Sequence, residues 1–366
     1  MHAHEVTASE QEWLTTRAYL RDHRRALDAR AAESHPGARV LDTALLASRE
    51  WLPDTPIPLD TIDLDLDTTH EKAPDVNGAQ AQAWLPVKSD GTRYSTYSQA
   101  VGTLAAPTVF EDRPTYRLLN AELHGTEPRL RFGLGSYFDS IDTGEAAAHE
   151  LALDALGHPV HNGLRVAIGD PWNPGRRPVN LAISTLTIRR DRDGGRASFL
   201  LHWRDPRKVG HAGGMFQVVP VGVFQPSGRA DWNVRNDFSL WRNVVRELAE
   251  EVAGEDEYDS EHAPIDYDAW PLATRLDFAR RQGHLTAWCL GLGVDATSFA
   301  TDLLTAVIID APVFDDLFGT RVTTNAEGRV LDQVPFTDES VRDVLARHPM
   351  QAAGEALLRL AAANFC

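Results

Sequence analysis

The segment Trp241-Arg-Asn-Val-Val-Arg-Glu-Leu-Ala-Glu-Glu-Val-Ala-Gly254 concentrates chemistry-bearing side chains: Arg246, Glu247, Glu250 and Glu251. On a helix, positions i, i+3 and i+4 share a face, which sets the three glutamates side by side. Three carboxylates so placed repel one another. A solvated acidic face would tolerate this, and basic neighbours would neutralise it. A hard divalent cation such as Mg²⁺ or Mn²⁺, which takes oxygen ligands, would bind it. Arg246 and Glu250 stand at i,i+4, so a surface ion pair is a further reading of the same string.

The rest of the composition narrows the setting. With 366 residues, 43% of them hydrophobic and 24% charged, the chain is globular and long enough for two domains. A formal net charge of −17 argues against nucleic-acid binding, which needs a basic footprint. It suits cations or metal-complexed small ligands instead. Only Cys289 and Cys366 are present, too few for a disulfide framework or a cysteine zinc site. The N-terminus lacks the apolar core of a signal peptide, and no 18-residue apolar run offers a membrane span. A cytoplasmic location is the expectation.

The elements around the glutamates follow from periodicity. Residues 8–34 read as a helix started near Ser9, with Trp13, Leu14, Leu20 and Leu27 inward. Its arginines 17, 21, 24, 25 and 30 would form a solvated face. Leu59 to Asp67 alternates apolar and acidic residues like a half-buried strand. Tyr116–Leu123 and Arg129–Phe138 read as paired strands. Asp142 with Glu145 three residues on predicts a capped helix running to about Leu156. That helix holds His149-Glu150, but Leu153 stands where H-E-x-x-H needs its second histidine, so a zinc protease is excluded. His149 is expected on the helix face near Asp139 or Asp142. The Gly/Pro-rich stretch 157–178 marks a boundary between a 1–177 α+β region and a 178–366 domain.

Beyond it come a strand, Asn180–Arg190, an Asp-Gly-Gly hairpin turn and a returning strand, Ala197–Arg204. A Gly-rich loop, Val209–Gly214, leads to one strand, Met215–Gln225, and then to the glutamate helix, with Asp237 or Ser239 as its cap. His284–Val294, Thr301–Asp310 and Arg329–Phe336 are further strands, the second apolar enough for burial on both faces. Helices at 341–345 and 351–363 close the chain.

This order of elements, ending in Arg246-Glu247-Leu248-Ala249-Glu250-Glu251, resembles the Nudix hydrolase family over roughly residues 178–366. The family carries G-x5-E-x7-R-E-U-x-E-E-x-G-U, with U aliphatic. The R-E-U-x-E-E part matches residue for residue, while the closing glycine, Gly254, is one place late. The family's earlier glutamate falls on Phe238, with Asp237 beside it, and its first glycine on Trp232. The resemblance implies an α+β chain: an α/β/α sandwich with a mixed sheet, preceded by the N-terminal α+β region. It implies hydrolysis of a nucleoside diphosphate linked to some group X, with a nucleotide-like small molecule as partner. Glu247, Glu250 and Glu251 would hold Mg²⁺ or Mn²⁺, and Arg246 would hold a glutamate in position. A Nudix-like sensor without turnover is the alternative. A different hydrolase or lyase centred on the acidic stretch 137–145 is a third reading.

Further ligand contacts are expected in and around the Gly-rich loop. His211, Gly213 and Gly214 could bring backbone N–H groups to an anion. Arg204 and Lys208 flank that loop and could meet phosphates, and Phe216 could stack on a base. A plain loop, solvated cations and a core aromatic are the corresponding structural readings.

Overall fold

The computed structural model describes residues 6–70, 72–108, 110–192, 197–204, 214–258, 260–319 and 328–366. Strands in the first half are β1 (Leu45–Leu46), β2 (Ile57–Pro58), β3 (Asp63–Leu66), β4 (Pro114–Glu122) and β5 (Arg129–Ser136). In the second half follow β6 (Leu181–Arg190), β7 (Ala197–Arg204), β8 (Phe216–Val218), β9 (Val221–Val223) and β10 (Leu285–Asp295). β11 (Thr301–Asp310) and β12 (Gly328–Pro335) complete the set.

The larger sheet runs β1-β10-β11-β6-β7-β12, with β2 on β10, β8 on β7 and β9 on β6. β11 and β6 are parallel, and the other pairs antiparallel, so the sheet is mixed and the fold α+β. β11 is buried at every position, as its near-continuous apolar run requires of a strand covered on both faces. A smaller sheet, β3-β5-β4, stands beside it. The hydrophobic core runs across residue 177: Tyr97, Tyr116 and Phe132 belong to the same cluster as Leu186, Phe224 and Leu304. β1 and β2, from the first 60 residues, cover β10 directly.

Several local expectations are corrected. The first helix breaks at His23 into Ala8–Asp22 and Arg24–Glu33. Thr7, rather than Ser9, forms its capping box, with Glu10. Arg24 does not face solvent. It is buried, with Nε 2.7 Å from Asp28 and Nη2 2.6 Å from Asp295. Only the second half of the 59–67 stretch is strand, because Leu59–Thr61 makes a 3₁₀ turn. The helix expected from Asp142 starts earlier, at Tyr137, with a Ser136–Asp139 capping box. Asp142 instead accepts a 2.6 Å bond from the Ser98 N–H. The Met215–Gln225 strand splits into β8 and β9 around Val219–Pro220, where proline has no N–H for a ladder.

His149 is not on an exposed helix face. It is buried and stacked between Trp84, at 4.9 Å, and Trp13, at 5.3 Å. Burial, helped by the nearby Arg17, pushes the imidazole well below its ordinary value, so it stays neutral.

Asp310, at the end of β11, carries a testable pH dependence. Burial alone would raise its carboxyl, but bonds from Arg190, His284 and Arg192 hold it below the usual value. A depressed carboxylate contributes stability above its unfolded pKa of about 3.9 and loses it as pH falls through the folded value. Asp310→Asn should therefore lower the urea midpoint at pH 7, with the gap to wild type closing below about pH 4. A gap that stayed constant over that range would contradict the assignment.

Candidate functional site

Ser239 caps the helix Leu240–Glu247, its side chain accepting from the Arg242 N–H. The chain then widens into a π-helical turn, Leu248–Ala253, and Gly254 ends it in the left-handed region at φ 77°. A glycine there avoids the steric cost another residue would meet. The π turn has a consequence for the glutamates. Positions i, i+3 and i+4 align only in a regular α-helix, and Glu250 and Glu251 lie past the α-to-π junction. Their spacing in sequence therefore overstates how closely they converge with Glu247.

Arg246 is 5% exposed and points into the protein rather than along the helix surface. Its Nη2 donates to the Gln225 carbonyl at 2.7 Å and to Asn243 Oδ1 at 3.2 Å. Its Nη1 lies 3.4 Å from Asp237 Oδ2 and 3.3 Å from the Tyr267 hydroxyl. Asp237 is fully buried and accepts from the Ser227 N–H at 2.8 Å, the Ser227 hydroxyl at 2.6 Å and the Tyr267 hydroxyl at 2.9 Å. Burial pushes the Tyr267 phenol up, so it remains a protonated donor. Among the described residues, the carboxylate that Arg246 reaches is that of Asp237, in a buried ion pair, while Glu247 adds to the negative field around its guanidinium.

The glutamates border a cleft of about 540 Å³. Glu251 is 8% exposed, accepting from the Val221 N–H at 2.9 Å, with its other oxygen 3.9 Å from His202 Nδ1. Glu247 lies against Gly222 so closely that a Cβ there would come within 1.9 Å of its carboxyl group. Glu250 lines the same wall. Arg204, at the end of β7, and Asp302, on β11, also line the cleft. The first half of the chain adds Arg113, Tyr137, Glu145 and Arg177. Asp302 accepts a 2.8 Å bond from the Ser184 hydroxyl.

The other expected contacts fare differently. Phe216 does not border the cleft. Its ring packs on His348 at 4.4 Å and its N–H binds the Pro349 carbonyl, so β8 holds it against the C-terminal segment. Gly214 closes a turn by donating to the Arg204 carbonyl and lies outside the lining. Lys208, His211 and Gly213 fall outside the described residues. Asp302 and Arg177 carried no signal in sequence, one inside an apolar strand and the other in a Pro-rich connection. Gly222 next to Val221 could have been flagged as a place of close approach on a strand.

Carboxylate oxygens are the donors a hard divalent cation takes, so by donor type the glutamate wall fits Mg²⁺ or Mn²⁺. Among the described residues, no three His, Cys, Asp or Glu side chains are disposed to hold one ion. Among them too, no helix is long and apolar enough to cross a membrane.

No family model and no curated protein matches the chain. Among solved structures it is similar to one titled "Crystal structure of NUDIX hydrolase from Alicyclobacillus acidocaldarius". That match covers 50% of this chain and 90% of the other, at 15% identity and a TM-score of 0.26. A likeness so distant leaves the functional reading to the cleft itself.

Proposed function

We propose that the protein is a metal-dependent hydrolase of a nucleotide-type diphosphate, acting in the cleft bordered by Glu247, Glu250 and Glu251. The observation that carries this reading is the mixed charge of the cleft: carboxylates, three on the helix and π turn with Glu145, Glu257 and Asp302 beyond it, and arginines 113, 177 and 204. A ligand that is itself anionic and travels with a divalent cation suits both charges. Mg²⁺ or Mn²⁺, held by the glutamates, would neutralise diphosphate charge and lower the pKa of a bound water.

The chain's own groups do the positioning. Arg246, tied to Asp237 and the Gln225 carbonyl, fixes the last turn of the helix before Glu247. The Val221 N–H orients Glu251 by occupying one carboxylate oxygen. Gly222 leaves room for Glu247 to lie along β9. The Arg204 guanidinium can meet phosphoryl oxygens with a planar fork of donors.

A panel of nucleoside diphosphate derivatives, assayed with and without Mg²⁺ or Mn²⁺, tests the proposal. Release of nucleotide or phosphate only with the ion is the expected result. A sensing module without turnover is the alternative. That reading predicts a ligand-dependent rise in melting temperature with no turnover and little metal effect.

Gly222→Ala separates the glutamate wall from the fold. The atoms met by the new Cβ are the end of the Glu247 side chain, which can swing away. The melt should therefore change little, while metal-dependent turnover falls at least about tenfold as that carboxylate leaves its place. Unchanged turnover would show that Glu247 has no part in the reaction.

A further inference from the structure

Three arginines from the first half of the chain, Arg24 and Arg177 buried and Arg165 half-buried, hold the turn between β10 and β11. Arg24 reaches Asp295 and the Ser298 hydroxyl. Arg165 donates to the Thr297 and Ala296 carbonyls, both at 2.7 Å, and lies over the Phe299 ring at 4.5 Å. Arg177 donates to Thr301 Oγ1 at 2.9 Å and lies 5.6 Å from the same ring. Phe299 sits at φ 56°, a conformation that a bulky residue adopts only when its surroundings enforce it.

The three differ in how their charge is met. Arg24 has Asp28 and Asp295 as partners. Arg165 lies in the field of Glu150 and Asp295. Among the described residues, Arg177 binds only neutral acceptors: the Pro171 carbonyl at 2.9 Å, the Pro178 carbonyl at 3.1 Å and the Thr301 hydroxyl. Burial pulls its guanidinium down to about 9, and among the described residues no neighbouring charge offsets that pull. It is 2% exposed yet borders the cleft, together with Phe299 and Thr301. Three of the five N–H groups of a guanidinium are used here, which leaves two. Arg113, also on the lining, spends its charge on Glu257 and Glu111.

A buried cation with no counter-charge is costly unless an anion completes it. We infer that Arg177, rigidly held against Phe299 and Thr301, forms an anion subsite of the cleft that takes phosphoryl oxygens of the ligand. It rests on the reading above that the cleft receives a diphosphate. The two can nevertheless fail separately, because anion binding at Arg177 needs neither metal nor turnover.

The test is equilibrium binding of inorganic pyrophosphate to the full chain in EDTA, read by calorimetry. Wild type should bind. Arg177→Met should bind on the order of thirtyfold more weakly, the loss of one partner of a buried charged contact. Arg177→Lys should fall between them, keeping charge without the fork. Because Arg177 also braces the turn, a second readout avoids substitution altogether. In wild type, pyrophosphate should slow amide hydrogen exchange at residues 180–182 and 298–302. Equal affinity in Arg177→Met, or no protection of those amides in wild type, overturns the subsite. Arg177-dependent binding with no metal-dependent turnover of any diphosphate upholds the subsite and removes the hydrolase reading instead.

Discussion

Replacing Glu250 or Glu251 by glutamine will cut metal-dependent turnover by on the order of a thousandfold, the several kcal/mol that metal-ion stabilisation supplies. The thermal melt should barely move. Glutamine keeps the shape and, at position 251, an oxygen that can still accept from the Val221 N–H. What it removes is the negative charge that a divalent cation needs. Removing that charge also relieves repulsion among acidic side chains on the same cleft wall. Steady-state kinetics at saturating Mg²⁺, beside a melting curve for each variant, decides the matter. Wild-type activity in both variants would sink the assignment of this wall as the reaction centre.

Arg246→Ala should have the largest effect on stability, a loss of about 3–5 kcal/mol, because it leaves a buried carboxylate without its cation. Asp237 is fully buried, and the Ser227 and Tyr267 donors that remain are neutral. Adding Asp237→Asn to that variant should recover part of the loss by removing the uncompensated charge. Urea denaturation of the two single variants and the double variant gives the coupling directly. A double-variant loss equal to the sum of the singles would show that the pair does not act as a unit. Arg246 touches no cleft residue's reacting group, so it acts as a positioning residue through the helix and Gln225.

The general course of the sheet was legible from the sequence. β7 and β11 have the bounds that alternation and apolar runs imply, and β6 starts one residue late. Short-range rules reached less far where tertiary contacts override them. Arg24 reads as one more arginine on a basic helix face, and only Asp295, 271 residues away, explains its burial. The capping pattern at Asp142 was real in composition, yet Ser136 and Asp139 captured the helix start first. At the site, the string Arg246–Glu251 supplies three glutamates to the cleft lining. It could not reveal the π turn, because backbone widening leaves no mark in residue type. Nor could it reveal Arg177, whose role depends on which loop a Pro-rich connection is laid against.

The bracing of the β10–β11 turn also says something about the order in which the chain can fold. Closing contacts between distant residues costs chain entropy before it is repaid, and folds rich in such contacts form slowly. β6 and β11 meet in the middle of the sheet across 120 residues, as the Thr185–Thr305 bond shows. The Arg24–Asp295 bond spans more than twice that distance. During synthesis, Arg24 has Asp28 of its own helix as a charged partner and gains the second, Asp295, only once β10 has been made. The cleft, lined by residues from Arg113 to Gln351, is complete only when segments of both halves of the chain have met.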